Sequence, residues 1–208
     1  MTDALQGQLF GGPPVRTKHA GEPRLNMVNQ ATHAMLSSES NEWYTPAEII
    51  ETARRVLGGI DLDPASTEEA NETVRARKIY TIEDNGLRWQ WYGNVWLNPP
   101  YGKVGNRSRQ EIWLRYLEGQ HLKGNIRRAM AETRAAVGYE WFSGMWRDWP
   151  VCITDKCIEH IRPAAYQSDK DNSAKTASAL WYFGPDLELF KREFGRFGRV
   201  LLPEVTDG

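Results

Sequence analysis

From Trp43 onward the apolar residues fall into short runs that alternate between helical and strand spacing. Thr45-Pro46-Ala47-Glu48 reads as a helix start, with Thr45 as N-cap, Pro46 at the first helical position and Glu48 closing a capping box. Ile49, Ile50, Ala53, Val56 and Leu57 then follow helical spacing until Gly58-Gly59 stops the helix. A short strand over 60–63 ends at Pro64. Ser66-Thr67-Glu68-Glu69 is a second capping box, opening a helix to about Lys78. Ile79-Tyr80-Thr81 reads as strand and Glu83-Asp84-Asn85-Gly86 as turn. Asn94-Val95-Trp96-Leu97 is the next strand. Ser108-x-x-Glu111 is a third box, and Ile112, Trp113, Tyr116 and Leu117 form one face of its helix. Beyond it the pattern predicts a strand over 127–131, a helix over 138–146 and strands over 151–154, 157–161 and 177–183. A helix over 187–194 and a strand over 199–202 close the series. This alternation predicts an α/β fold, a mixed, mostly parallel sheet with helices on both faces and an antiparallel C-terminal edge. Ligands in such sheets bind at the carboxyl ends of parallel strands, where Asp63-Pro64 and Asn98-Pro99 both fall. Residues 1–40 show no sustained period and read as a flexible leader, leaving 41–208 as a single domain.

A length of 208 residues suits one domain with a sizeable core. The formal net charge of −1 says little about partners, but its distribution says more. Between Glu39 and Glu72 nine acids face two arginines, whereas between Tyr101 and Ala135 eight bases face three acids. An acidic half beside a basic half suits a cationic small molecule on one side and a polyanion on the other, and equally suits ordinary solvated helix faces. No apolar run approaches the ~18 residues of a membrane span. The opening Met1-Thr-Asp-Ala-Leu lacks the basic and apolar regions of a signal peptide. Two cysteines, Cys152 and Cys157, give no disulfide framework, so a reducing cytoplasm is the expected location. Those two with His160 fall short of a zinc ligand set, and no metal is expected.

The chemistry concentrates in Asn98-Pro99-Pro100-Tyr101, directly after the 94–97 strand. Asn98 offers an amide oxygen with two lone pairs. Pro99 has no N–H and so presents a bare carbonyl acceptor, and each proline fixes its own φ. Tyr101 supplies a flat face for stacking on a base. Two acceptors converging on an exocyclic NH₂ would hold both protons and turn the nitrogen lone pair toward an electrophile. That arrangement makes a planar amine into a nucleophile.

The ordered set Trp43-x-Thr45-Pro46, Asp61-x-Asp63-Pro64-Ala65-Ser66 and Trp96-x-Asn98-Pro99-Pro100-Tyr101 resembles the DNA N6-adenine methyltransferases of phages and prophages, a Dam-like group. The resemblance runs from about Ser37 to Leu202. It implies a Rossmann-like methyltransferase fold, S-adenosylmethionine as methyl donor and adenine in double-stranded DNA as acceptor. It also implies that Asn98, Pro99, Pro100 and Tyr101 are the catalytic residues. By the same likeness Trp43, Thr45, Pro46, Asp61, Asp63, Pro64 and Ala65 bind the donor. Thr45 and Pro46 suit the methionine carboxylate, and Asp63 suits its amino group. Asp84, in the turn after Tyr80-Thr81, is an acceptor for the donor's adenine. One departure is plain: Asp63 is followed by Pro-Ala-Ser rather than a glycine-rich turn. Adenine N6 is buried in a duplex, so the base must be flipped out, with Tyr101 and Trp43, Tyr44 or Trp96 to stack on it. Lys103, Arg107, Arg109, Arg127 and Arg128 are the expected DNA phosphate contacts, on a flexible 102–108 loop and beyond. Arg162 and Lys170 would extend that phosphate-contacting surface, and the 163–175 stretch would read the DNA sequence. The expected state is a monomer in the cytoplasm of a bacterial host.

Two other readings use the same residues. The tetrapeptide also serves methyltransferases that act on RNA or on a protein glutamine. A methyltransferase fold that only holds DNA or the donor is the second, although a pure binder has no need of the paired acceptors. Most of the nine tryptophans are expected in the core rather than against a base.

Overall fold

Ile49, Ile50, Ala53, Val56 and Leu57 lie on one buried stripe of helix α1 (Ala47–Leu57), as their spacing predicts. Gly58, at φ 74°, ends that helix by donating its N–H to the Arg54 carbonyl. The computed structural model describes residues 42–167 and 173–203. The predicted 1–40 leader and Lys170 lie outside the described residues.

After α1 come β1 (Leu62–Asp63), α2 (Glu68–Val74), β2 (Lys78–Ile79), a 3₁₀ turn (Gly86–Arg88) and β3 (Gly93–Leu97). A small hairpin, β4 (Lys103–Val104) and β5 (Arg107–Ser108), precedes α3 (Arg109–Leu122) and the long strand β6 (Ile126–Arg134). Helix α4 (Glu140–Asp148) and β7 (Val151–Thr154) follow. The chain ends with β8 (Ile158–Ile161), β9 (Ser173–Thr176), β10 (Ser178–Phe183), α5 (Leu187–Phe194) and β11 (Gly198–Leu201). Seven strands form one sheet in the order β11-β7-β10-β6-β3-β1-β2, while β4–β5 and β8–β9 are separate two-stranded ribbons. Strands β2, β1, β3 and β6 pair in parallel, and β10, β7 and β11 add antiparallel pairs at one edge. The mixed α/β sheet with an antiparallel C-terminal edge is therefore as expected.

Alternation along the strands feeds two cores. Trp96, Met130, Leu180 and Tyr182 pack with α1 and α5 on one face. Val95, Leu97, Ala129, Ala131, Trp181 and Phe183 pack with α3 and α4 on the other. Central strand β10 is buried at every position, as a strand covered on both faces must be. Trp91, Trp96, Trp113 and Trp181 are all core residues. Trp96 thus faces α1 and α5 instead of a flipped base, because strand alternation turns it from the strand's end into the sheet's face.

Several expected details differ. Thr45 does not cap α1: the N-cap position is Pro46, and the Thr45 hydroxyl goes to Glu132 instead. A buried carboxylate outcompetes a backbone N–H for that hydroxyl's proton. In the second box Thr67, not Ser66, caps the helix by accepting from the Ala70 N–H, and the helix stops at Val74. Arg75, in the left-handed region at φ 51°, ends it. Ser108 stands at the N-cap of α3 without a side-chain cap bond. The expected 102–108 loop contains the β4–β5 hairpin.

Candidate active site

The chain leaves β1 for β2 on one side, then crosses back to place β3 on the other. The carboxyl ends of β1 and β3 are therefore neighbours at a point where strand order reverses, the usual ligand crevice of an open α/β sheet. Asp63 ends β1, and Asn98 follows the last residue of β3.

Parallel register sets Leu97 opposite Ala131, so one step further on Asn98 emerges beside Glu132 of β6. Residues 43–45 pass the same point, held by two backbone hydrogen bonds between Tyr44 and Ile161 of β8 at 2.8 and 2.9 Å. Asn98 Nδ2 donates to the Trp43 carbonyl at 2.8 Å and to Thr45 Oγ1 at 3.2 Å. A carbonyl can only accept, so the amide nitrogen must face it. The other end of the amide, Asn98 Oδ1, is buried and has no hydrogen-bond partner among the described residues. Leaving such an acceptor unpaired costs about 1–3 kcal/mol, a cost that a ligand donor removes. Pro99 is buried beside it, and Pro100 and Tyr101 are half-buried.

Behind Asn98 lies a buried polar chain. Thr45 Oγ1 donates to Glu132 Oε2 at 2.6 Å, and Glu132 Oε1 stands 2.8 Å from His160 Nε2. His160 Nδ1 faces the Ala174 carbonyl of β9 at 3.3 Å. Burial works against a charge on His160, but the hydrogen bond and charge of Glu132, with backbone bonds from Ala174 and Ile158, hold its pKa above the ordinary histidine value. The Tyr101 ring meets the His160 ring edge-on at 6.5 Å and 82°. Burial, then the Glu132 charge, raises the Tyr101 hydroxyl pKa, so Tyr101 is a neutral phenol.

Asp63 is 2% exposed. Burial pushes its carboxyl up to about 7, against the lowering effect of hydrogen bonds from the Ser66 side chain and the Ala65 N–H. No cation pairs with it among the described residues. The Asp63-Pro64 turn has no glycine of its own; close packing there falls to Gly86, where an added Cβ would collide with the Pro64 carbonyl oxygen. Asp84, after β2, takes the Thr81 N–H at 2.9 Å and the Thr81 hydroxyl at 3.2 Å on one carboxylate oxygen, and the backbone bond foremost holds its pKa below the ordinary value.

The structure thus bonds Asn98 to Trp43 and Thr45, with Pro46 next in the chain, and sets Asp63 with the 64–65 turn at the same carboxyl edge of the sheet as residues 98–101. It does not bring Asp61, Arg127 or Arg128 to them. Asp61 sits at the amino ends of the strands, paired with Arg77 at 3.2 Å and Arg127 at 3.4 Å and accepting the Asn94 N–H at 2.9 Å. Arg128 reaches the Val56 carbonyl at 3.4 Å. Lys103 and Arg107 are exposed on the β4–β5 hairpin, two and six residues past Tyr101, while Arg109 is 7% exposed at the start of α3. Arg162 lies over the Trp43 ring at 5.7 Å.

Glu132 and His160 were not expected here; His160 drew notice only as a metal ligand. The available signal was a carboxylate at the end of the apolar run Ala129-Met130-Ala131. No group of three or more His, Cys, Asp or Glu side chains that could hold a metal gathers among the described residues. No helix among them is long and apolar enough to cross a membrane.

A family model described as DNA N-6-adenine-methyltransferase (Dam) matches residues 32–183. A protein of Escherichia phage T1 named DNA N-6-adenine-methyltransferase is 42% identical over 64 residues. That match covers 29% of this chain and a quarter, 25%, of the phage protein's length.

Proposed function

Since the chain belongs to the DNA N-6-adenine-methyltransferase (Dam) family, we propose that it methylates N6 of adenine in double-stranded DNA with S-adenosylmethionine as donor. The observation that carries this reading is Asn98 Oδ1, a buried acceptor whose orientation is imposed from behind and which has no partner among the described residues. An exocyclic amine donates two protons. Asn98 Oδ1 takes one and the Pro99 carbonyl takes the other. As the nitrogen forms its new bond it becomes positive and its protons more acidic, so both hydrogen bonds strengthen toward the transition state. Stabilisation of that kind raises turnover rather than mere binding.

The donor's fit is tested by Asp63. A buried carboxylate raised toward neutrality, without a protein cation, suits an ammonium group. Asp63 and the 64–65 turn would hold that end of the donor, and Asp84 lies on the loop after the neighbouring strand β2. When bound, S-adenosylmethionine supplies an electrophilic methyl group on a sulfonium. The chain's own contribution is alignment of the amine; the donor leaves as the neutral thioether, and the proton that the methylated nitrogen sheds passes by way of the accepting oxygens to water. Flipping the base costs a few kcal/mol of unstacking, which contact with Tyr101 offsets in part. Lys103 and Arg107 stand beside the motif as phosphate contacts. Acting on a bacterial or phage genome places the protein in the host cytoplasm.

Incubation with tritiated S-adenosylmethionine and separate DNA, RNA and protein acceptors tests the reading. Label in DNA, recovered as N6-methyladenine, is expected. Label confined to RNA or to protein glutamine would overturn it.

A further inference from the structure

The pair Glu132–His160 has no part in the chemistry above, yet both side chains are fully buried. Burying an ion pair is poor economy for stability, since well-packed apolar residues of similar volume serve as well or better. Its geometry suggests a different task. Both nitrogens of His160 face acceptors, a carboxylate and a carbonyl, so both carry protons. Glu132 then has one oxygen engaged by His160 and the other by Thr45. The single proton of the Thr45 hydroxyl is committed to Glu132, so toward Asn98 that oxygen can only accept. Asn98 therefore meets two acceptors, Thr45 Oγ1 and the Trp43 carbonyl, and must present its NH₂ to both. The polarity runs one way along the chain, from a protonated imidazole to the unpaired Asn98 Oδ1.

We infer that Glu132, His160 and Thr45 are positioning residues that lock the Asn98 amide with its oxygen toward the amine to be methylated. The inference rests on the amine-orienting role assigned to Asn98. Without Glu132 the Thr45 proton can turn toward Asn98, and the amide loses one of the two acceptors that define its orientation. The lock also ties turnover to strand β8, because His160 comes from the ribbon whose edge pairs with Tyr44.

The decisive experiment uses the full chain and compares an apolar replacement with conservative ones. The double variant Glu132→Leu/His160→Leu keeps the core filled. It is expected to melt no lower than wild type while its kcat falls at least about tenfold, the size of one lost hydrogen bond. Affinity for S-adenosylmethionine, read by calorimetry, should stay within about threefold. Glu132→Gln preserves the polarity, with its amide oxygen accepting from Thr45 and its NH₂ donating to a neutral His160, and should recover most of the turnover. Thr45→Val and Thr45→Ser form a second pair that does not depend on replacing the ion pair, with loss expected in the first and recovery in the second. Side-chain amide exchange of Asn98, followed by ¹⁵N NMR on selectively labelled protein, should quicken in the variants that lose turnover. A folded double variant with wild-type kcat would overturn the inference; should that variant fail to fold, wild-type kcat and exchange in Thr45→Val would do so. Loss of activity in Asn98→Ala with none in these variants would sink only the lock. Absence of methyl transfer to DNA by the wild type would sink the amine-orienting reading itself.

Discussion

Two asparagines at the two ends of strand β3 divide the molecule. Asn94 and Asn98 stand at opposite ends of β3, and both use Nδ2 to reach a backbone carbonyl at 2.8 Å, Leu57 for the first and Trp43 for the second. Their oxygens differ. Asn94 Oδ1 receives Arg127 Nε at 3.1 Å, and Asn98 Oδ1 receives nothing among the described residues. The carboxylates either side of Leu62 repeat the contrast: Asp61, just before β1, gathers two arginines and an N–H, while buried Asp63 has no cation among the described residues. At the amino ends of the strands polar groups are satisfied within the protein, which is what architecture requires. At the carboxyl ends an acceptor and a carboxyl group have no such partner among the described residues, which is what the proposed amine and donor would take up.

The largest effect expected from breaking this contrast is on turnover. Asn98→Ala removes the acceptor that strengthens as charge develops, and a loss of about 10³-fold or more in kcat is expected, comparable to deleting a transition-state hydrogen bond elsewhere. Affinity for S-adenosylmethionine should remain within a few fold. Asn94→Ala should do the reverse, costing about 1–3 kcal/mol in urea melts through the stranded Arg127 and Leu57 groups while leaving kcat per folded molecule intact. Equal kinetic losses in the two variants would erase the distinction between the ends.

Asp63 is expected to show its lack of a partner in pH dependence. Its folded pKa of about 7 lies above the ordinary 3.8, so the native state holds a proton that the unfolded chain sheds. That contribution to stability is fully present below about pH 4 and is lost as pH rises to about 7, in all up to about 4 kcal/mol. Asp63→Asn should remove this component, flattening the difference between melts at pH 5 and pH 8. Donor affinity should run the other way in wild type, rising with pH through the same window and releasing a proton on binding. Calorimetry in buffers of different ionisation enthalpy reads that proton directly, and buffer-independent heats at pH 6 would contradict the assignment.

How much of this was legible beforehand follows from which forces were local. The helix of Ile49, Ile50, Ala53, Val56 and Leu57 was legible because burial imposes its period on neighbouring residues. The strand-to-loop placement of Asn98 and Asp63 was legible because an apolar run broken by Pro marks a strand's end. Thr45 does not cap because its true partner, Glu132, is 87 residues away, and the two meet where the bridge between Tyr44 and Ile161 of β8 holds the 43–45 segment. His160 was missed for the same reason, being placed by a ribbon that pairs with the segment before α1. Asp61 and Asp63 look alike in sequence, yet opposite ends of a two-residue strand give them opposite surroundings.

Basic residues sharpen the comparison on a smaller scale. Lys103 and Arg107 are exposed on the hairpin beside Tyr101, whereas Arg127 is bound to Asp61 and Asn94 at the far end. Lys103→Ala/Arg107→Ala should weaken DNA binding uniformly across sequences and reduce the slope of log affinity against log salt by about 1–2. Arg127→Ala should leave that slope unchanged. A slope lost in Arg127→Ala and kept in the hairpin variant would move the DNA surface to the amino ends.

Asp61→Asn should have the smallest effect of all. Arg77 and Arg127 are 85% and 69% exposed, so the two ion pairs are screened by water and contribute less than about 1 kcal/mol together. The Asn94 N–H bond, the more buried of Asp61's interactions, survives because an asparagine oxygen accepts it equally well. Gly93, at φ 70°, leaves the side chain room, since a Cβ there would press on Asp61 Oδ2 at 2.5 Å. Melting temperature and donor affinity are both expected near wild type, in contrast to Asp63→Asn two residues on. Donor affinity falling as far in Asp61→Asn as in Asp63→Asn would mean that the amino ends also hold the ligand, and the division between architecture and chemistry along β1 would fail.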